Sequence, residues 1–297
     1  MENVIPKLVE EKIKEYFPVS WSDKNVIFFL RKSRYEMDVS AVNESLNLPI
    51  RDFILRRGKP TCHINFGLDV ATNTGIGLHV LPLRLLLEKS NKLNQKQQIR
   101  IWEAYAEELI NLTFGQGLDI FWHRNPDKNK TISVEKYLEM VCLKTGSLMR
   151  MSLRLACAIA ETSRETEDAF KVFAEDIGIA FQIIDDSLDL TSQDTKFGKA
   201  YGNDITEGKL SLPVICALET SDNGDRLVEI LSLHTTNKKL LTEAISIITD
   251  SGSLKKSLTF ANEMIDQSWK KLESSVSGEL RLAGLKELAY YFIQRTQ

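Results

Sequence analysis

The spacing of apolar residues constrains the fold of this chain more than any other feature. From Leu8 onward apolar residues recur every three or four positions, as in an amphipathic helix, and strand-like alternation is nearly absent. The longest helices are predicted over Asn94–Phe114, Val134–Ala160 and Glu165–Leu190. The final stretch, Gly278–Gln297, is again amphipathic. The sequence therefore predicts an all-α protein, a bundle of roughly ten or more helices.

Helix breakers are few, and they separate helical blocks rather than domains. Pro60, Gly75 and Pro126 fall between blocks, and a polar loop covers residues 191–208. No internal repeat, low-complexity tract or flexible linker divides the sequence. We therefore predict a single domain, 1–297.

Charge and cysteine content exclude several classes of protein. The 297 residues carry 38 Lys and Arg against 41 Asp and Glu, so no basic surface for nucleic acid is predicted. The 4 cysteines form no CxxC pair, and neither a zinc site nor a disulfide framework is expected. The first residues do not resemble a signal peptide, and apolar runs such as Val80–Leu87 are too short to span a bilayer. We expect a reduced, cytoplasmic protein that is not membrane-integral.

The most informative segment carries Asp185, Asp186 and Asp189 within an apolar helix. Because Asp185 and Asp189 are four residues apart, their carboxylates project from one face and repel each other. Phe181 and Gln182 fall on the same side of the helix. A magnesium ion would relieve the repulsion, since it combines one or two carboxylates with water and substrate phosphates. A solvated helix face is the alternative for so short a pattern.

A glycine-punctuated loop follows this helix. Residues 197–213 contain Lys199 and Lys209 together with Asp204. Lysine is a strong point-charge donor to phosphate, and a mobile loop can close such donors over a ligand. The loop and the acidic helix together favour a magnesium-diphosphate site over a solvated face.

The run Gly178–Leu218 resembles the second aspartate-rich region of the trans-isoprenyl diphosphate synthases, the polyprenyl synthetase family. That family reads Phe-Gln-x-x-Asp-Asp-x-x-Asp, then Gly-Lys, Gly-x-Asp and Gly-Lys-x-x-x-Pro, and each landmark is present at family spacing. Shorter matches at Lys144–Gly146, Gly115–Asp119 and Arg56–Thr61 support the resemblance. It covers the chain from about Asp52 to the C-terminus. It implies an isoprenoid-synthase helical bundle and a trans-prenyltransferase, or a subunit of one.

The resemblance also implies roles for individual residues. One Mg²⁺ ion would lie between an allylic isoprenyl diphosphate and Asp185, with Asp189 in support. The implied metal-binding residues are Asp185, Asp186, Asp189 and Asp204. The implied substrate-binding residues are Arg56, Arg57, Lys144, Phe181, Lys199 and Lys209. The implied catalytic residues are Lys144, Thr145, Gln182 and Lys199.

The family's first aspartate-rich motif is missing. Counted back from Arg56, it should occupy Asn47–Arg51, where no carboxylate occurs and where Pro49 opposes a regular helical turn. In the family this motif holds most of the magnesium, so its loss withdraws stabilisation from the departing diphosphate. The family's upstream isopentenyl diphosphate motif is also absent, and residues 1–51 are therefore divergent and shortened.

Three functions remain open at this point. The first is a prenyltransferase subunit that acts with a homologous partner, as a homo- or hetero-dimer, in isoprenoid chain elongation. The second is a self-sufficient class I terpene cyclase or atypical prenyltransferase, which needs no isopentenyl diphosphate site. The third is a non-catalytic regulatory or scaffold homologue on the same fold.

Overall fold

The structure, a computed structural model, describes residues 55–56, 59–191, 202–276 and 282–294. The chain divides into two compact units, Met1–Glu88 and Lys89–Gln297. The expectation of a single domain stays a prediction. The missing first motif, at residues 47–51, lies outside the described residues.

The first unit, where it is described, consists of a short hairpin followed by helices. β1 (Leu55–Arg56) pairs antiparallel with β2 (Lys59–Pro60). α1 (Cys62–Phe66) ends at Gly67, whose φ of 87° favours glycine, and α2 (Leu68–Lys89) begins at the next residue. The turn at Gly67 therefore separates two helices that would otherwise be continuous.

One part of α2, Leu68–Glu88, has the length and the mean hydropathy, 1.2, that a membrane span requires. No other helix among the described residues meets both criteria. Core helices of soluble proteins meet them as well, and this helix contains Pro82 and Arg84. Length and composition therefore do not assign α2 to a membrane.

The second unit is built from helices throughout its described part. In chain order they are a 3-10 turn at Ser90–Lys92, α3 (Gln95–His123), α4 (Val134–Val141), α5 (Ser147–Ile159), α6 (Arg164–Thr191), α7 (Asn203–Thr206), α8 (Leu212–Thr220), α9 (Gly224–Ser232), α10 (Lys238–Asp250), α11 (Ser253–Ser275) and α12 (Ala283–Gln294). The two-residue hairpin is the only β-structure among the described residues. The prediction of an all-α fold is confirmed.

The predicted long helices are present, with ends set by local capping. The helix predicted from Asn94 begins at Gln95, because the Asn94 side chain accepts from the Gln97 backbone nitrogen at 3.0 Å. The Gln97 side chain in turn accepts from the Asn94 backbone nitrogen, also at 3.0 Å, which completes a capping box. The helix predicted over Val134–Ala160 is interrupted by a π-helical turn, Cys142–Gly146.

Helix α6 lies at the centre of the second unit and packs against α5 and along α11. Its apolar side buries Phe173 and Ile183, and α11 contributes Ile265 and Trp269. The Phe173 and Trp269 rings meet edge to face, with centroids 5.8 Å apart. Burying each such side chain stabilises the fold by roughly 1.5–3 kcal/mol. This packing fixes α6 in place, and with it the acidic residues on its other side.

Candidate functional site

The predicted site residues that the structure describes in full all lie in the second unit. They are Lys144 and Thr145 on the π-turn, Phe181, Gln182, Asp185, Asp186 and Asp189 on α6, and Asp204 and Lys209 after it. Arg57, Lys199 and the side chain of Arg56 lie outside the described residues. The roles assigned to those three residues stay predictions.

The π-turn Cys142–Gly146 joins α4 to α5 and carries Lys144. A π-turn is wider than an α-turn, and here it passes between α3 and α6. A Cβ atom on Gly115 of α3 would fall 2.3 Å from the backbone nitrogen of Lys144. A Cβ atom on Gly178 of α6 would fall 2.7 Å from a Cα atom of the turn. Both glycines are therefore needed for the turn to fit.

Arg150 of α5 supports this turn from within the protein. Its Nη1 donates to the Cys142 carbonyl oxygen at 3.0 Å, and its Nε donates to the Glu108 carboxylate at 2.9 Å. Both charged side chains are buried. A carbonyl group of the π-turn thus receives a donor that is itself held by a buried ion pair.

Lys144 pairs with Asp119 of α3, and its Nζ donates to Asp119 Oδ2 at 2.5 Å. Burial alone would raise the pKa of Asp119, but the charges of Lys144 and Lys209 outweigh it and hold that pKa below its ordinary value. Asp119 therefore faces Lys144 as an ionised carboxylate at neutral pH.

Asp186, the middle acid of the motif, is 1% exposed. Its Oδ1 accepts from Gln182 Nε2 and from Lys209 Nζ, each at 2.7 Å. Its Oδ2 accepts from the Tyr137 hydroxyl at 2.8 Å. Gln182 is oriented further because its Oε1 accepts from Thr145 Oγ1 at 2.7 Å. The Asp186 carboxylate therefore receives three donors from the protein itself.

The donors around Asp186 keep their protons. Burial alone would lower the pKa of Lys209, but Asp186 and Asp204 raise it well above its ordinary value. The Lys209 Nζ lies 3.1 Å from Asp204 Oδ2. Burial and the charge of Asp186 raise the pKa of Tyr137 well above its ordinary value. Both groups therefore donate to Asp186 at neutral pH.

Asp189 accepts hydrogen bonds from the backbone of residues 202 and 204. Its Oδ2 accepts from the backbone N–H of Asp204 at 2.9 Å, and its carbonyl oxygen accepts from Gly202 at 3.2 Å. Gly202 has a φ of 72°, which L-residues rarely adopt. The Lys209 backbone nitrogen then donates to the Asp204 carbonyl oxygen at 2.9 Å. These hydrogen bonds hold Asp204 and Lys209 close to α6.

Asp185 is the least buried acid of the motif, half-buried where Asp186 and Asp189 are buried. Within the described ranges, no three His, Cys, Asp or Glu side chains converge closely enough to hold a metal ion by themselves. The predicted metal-binding residues thus do not form a closed cage among the described side chains. Their assignment stays a prediction.

Two polar residues at the site, His123 and Tyr137, were not singled out by the sequence patterns. His123 is buried next to Asp119, its Nε2 has no hydrogen-bond partner among the described residues, and burial lowers its pKa to about 4. Tyr137 occupies a helix position that periodicity alone assigns to the core. The chemistry of tyrosine could have indicated a role for Tyr137, because a buried tyrosine hydroxyl usually requires a polar partner.

The profile of one protein family, described as polyprenyl synthetase, matches residues 52–248. The chain belongs to the polyprenyl synthetase family. The resemblance inferred from the aspartate-rich segment is therefore confirmed. The matched range begins directly after the missing first motif at residues 47–51, and it includes the described site residues.

Curated relatives of the chain are themselves named as synthases. A geranylgeranyl pyrophosphate synthase of Dictyostelium discoideum is 36% identical over 200 residues, which is 67% of this chain and 61% of that protein. A short chain isoprenyl diphosphate synthase of Methanocaldococcus jannaschii is 33% identical over 198 residues, 66% of this chain and 58% of that protein. The chain thus spans about three fifths of the curated relatives that it matches.

Solved structures of synthases share the fold. The geranylgeranyl pyrophosphate synthetase of Pyrococcus horikoshii superposes with a TM-score of 0.74 at 27% identity, covering 91% of this chain and 80% of that one. The enzyme of the archaeon Geoglobus acetivorans also has a TM-score of 0.74, at 24% identity, and 98% of each chain is covered. The chain therefore has the same helical bundle as these synthases.

Proposed function

We propose that the chain is a trans-prenyltransferase subunit that binds an allylic isoprenyl diphosphate through Mg²⁺. It acts in isoprenoid chain elongation, in the cytoplasm, as a dimer with a homologous synthase subunit. The observation that carries the proposal is a cluster of acidic side chains and lysines at the site. Asp119 pairs with Lys144, Asp186 and Asp204 pair with Lys209, and α6 carries Asp185 and Asp189 beside Asp186.

The donors present suit magnesium. Carboxylate oxygens are hard ligands, and Mg²⁺ is typically held by one or two of them while water and substrate phosphates supply the rest. Half-buried Asp185 can supply such an oxygen. Because no closed cage exists among the described side chains, metal binding that depends on the diphosphate is the expected behaviour. When bound, the ion would withdraw charge from the departing diphosphate.

The protein's own groups would bind and orient the substrate. Lys144 and Lys209 carry ammonium groups that pair with carboxylates. An ammonium group has three rotatable donors, so each lysine can also donate to diphosphate oxygens. Thr145, Gln182 and Phe181 would line the site near the developing cation. Lys199, Arg56 and Arg57 would add positive charge from segments outside the described side chains.

The contacts of Asp186 support a different role from the one its motif implies. Three donors already fill this carboxylate, so a metal ion would have to displace at least one of them. We therefore assign Asp186 to the orientation of Lys209 and Gln182. Asp185, the least buried acid of the motif, is proposed as its principal metal ligand.

A homologous partner follows from what the sequence lacks. Residues 47–51 contain no carboxylate, whereas ionisation of an allylic diphosphate relies on several stabilising charges. A partner subunit with an intact first motif would contribute a complete second site to the dimer. The curated relatives named as synthases support prenyl transfer as the activity of the assembly.

The test is an assay of the purified chain alone and together with a homologue that carries the first aspartate-rich motif. Labelled isopentenyl diphosphate and farnesyl diphosphate serve as substrates in the presence of Mg²⁺. Product that forms only in the mixture, above the activity of the homologue alone, supports the proposal. Hydrocarbon or alcohol from farnesyl diphosphate alone would indicate a cyclase. No product and no Mg²⁺-dependent pyrophosphate binding would indicate a scaffold.

A further inference from the structure

Tyr137 joins the Asp186 network from α4, outside every motif that carries the predicted site. Its side chain is 0% exposed, and its hydroxyl donates to Asp186 Oδ2 at 2.8 Å. In a buried environment an acceptor that loses its donor is destabilised, because no water replaces the lost hydrogen bond. The hydroxyl therefore does more than fill space, because the ring alone would pack equally well.

The Asp186 carboxylate, once its plane is fixed, determines the orientation of two other groups. The torsion that turns an aspartate carboxylate is broad, so a donor on each oxygen is needed to fix its plane. With Tyr137 on Oδ2, Oδ1 is presented to Gln182 and Lys209, each at 2.7 Å. The Gln182 amide nitrogen then faces Asp186, which turns its carbonyl oxygen toward Thr145.

We propose that Tyr137 is a positioning residue of the active site: its hydroxyl fixes Asp186, which orients the Gln182 amide and the Lys209 ammonium group. The inference rests on the proposed function, because the oriented groups matter for prenyl transfer. Tyr137 is fully buried, and its hydroxyl donates to Asp186. Its effect is therefore on the alignment of other groups in the transition state, where small displacements are costly.

Tyr137→Phe tests this directly, since it removes one oxygen atom and keeps the ring. We expect kcat for prenyl transfer to fall by about tenfold, the equivalent of one lost buried hydrogen bond. The KM for farnesyl diphosphate and the Kd for inorganic pyrophosphate with Mg²⁺ should stay within about twofold, because no binding group is removed. A fall in affinity with unchanged kcat would contradict the inference.

Tyr290→Phe provides a matched control. The Tyr290 hydroxyl donates to Asp266 at 2.6 Å between α12 and α11, so the substitution removes the same kind of hydrogen bond elsewhere. We expect kcat and KM of this variant to equal those of the unsubstituted protein. A kcat loss equal to that of Tyr137→Phe would overturn the assignment, because the effect would then not be specific to the site.

A double-mutant cycle with Asp186→Asn separates positioning from general stability. If Tyr137 acts through Asp186, adding Tyr137→Phe to Asp186→Asn should change kcat by less than about twofold. An equal loss in both backgrounds would mean that Tyr137 acts independently of Asp186, and the inference would be wrong.

Failure of the proposed function would show differently. In that case the unsubstituted protein transfers no prenyl group, alone or with its homologue. The same cycle is then measured from the thermal unfolding midpoints of the four proteins, which requires no substrate. Non-additive midpoint shifts would retain Tyr137 as the residue that fixes Asp186, and additive shifts would reject it.

Discussion

Two clusters of buried charge lie along α3 and α6, and they are built from different residues. The arginine cluster consists of Arg100, Glu108, Arg150, Arg154 and Glu167. The lysine cluster consists of Asp119, Lys144, Asp186, Asp204 and Lys209. The first lies toward the beginning of both helices, and the second lies further along each of them.

The clusters differ in how completely their charges are matched. In the arginine cluster, Glu108 accepts from Arg150 and Arg154 at 2.9 and 2.7 Å, and Arg100 and Arg154 both bind Glu167. Two carboxylates there share three guanidinium groups, so cations outnumber carboxylates. In the lysine cluster three carboxylates share two ammonium groups, so carboxylates outnumber cations.

This difference separates a structural site from a chemical one. Guanidinium groups bind carboxylates in fixed planar geometry, whereas an ammonium group is a compact charge that changes partners readily. The arginine cluster has more cations than carboxylates and needs no further cation. The lysine cluster has more carboxylates than cations, a balance that a divalent cation would reverse, and its ammonium groups can also donate to phosphate oxygens.

The largest expected effect comes from breaking the arginine cluster. Glu108→Gln removes the fully buried carboxylate that Arg150 and Arg154 share and should lower the free energy of unfolding by roughly 3–5 kcal/mol. Glu107→Gln is the control, since the neighbouring Glu107 is 49% exposed and should contribute at most about 1 kcal/mol. Denaturant titration measures both. Equal effects would show that burial does not distinguish the two pairs.

In the lysine cluster, substitution should change ligand binding and leave the fold intact. Asp185→Ala should weaken Mg²⁺-dependent pyrophosphate binding by at least about a hundredfold, because a metal ligand is lost. Stability should stay the same or rise, since one of several like charges is removed. Asp168→Ala, at an exposed acid on the same helix, is the calorimetric control. Unchanged binding in Asp185→Ala would reject the metal assignment.

The fit of the π-turn can be tested with two glycines of α3. Gly115→Ala should destabilise the protein by about 3 kcal/mol, since its Cβ would collide with the backbone beside Lys144. Gly117→Ala meets nothing within 4 Å and should stabilise the helix by about 0.5–1 kcal/mol. Thermal unfolding of the two variants compares them directly. Similar midpoints would mean that the turn adjusts at little cost.

The smallest effect concerns pH. Because burial lowers the His123 pKa from 6.5 to about 4, the unfolded chain binds a proton between these values while the folded protein does not. Stability should therefore decrease as pH falls from 6.5 toward 4, by at most about 3 kcal/mol from this group. His123→Gln should lose this slope. An unchanged pH profile in that variant would place the proton uptake elsewhere.

Sequence reasoning reached the helices and the motif residues through periodicity and spacing. The sequence placed Asp185, Asp186 and Asp189 on one helix and Lys209 in the loop that follows it. It did not predict the contacts that determine the role of each acid, such as the one between Lys209 and Asp186. Asp186 is adjacent to Asp185 in the same motif, yet only the structure shows that its carboxylate accepts a hydrogen bond from Tyr137 of another helix. Such contacts depend on tertiary packing, which local patterns do not encode.

The π-turn before α5 could not be predicted from the periodicity of apolar residues either. Residues 134–160 carry a continuous apolar pattern, and the π-turn within them is set by Gly115 and Gly178, which are distant in sequence. A pattern confined to one segment cannot report the space that neighbouring helices leave for it.

The same π-turn has a consequence for sequence change in this region. Each residue of an α-helix advances the chain by about 100° around the axis, so the extra residue of a π-turn rotates α4 relative to α5 by that angle. Deleting a single residue within 142–146 would restore a regular helix, but Tyr137 would then point away from α6. Insertions and deletions should therefore be tolerated far less in this turn than their length suggests.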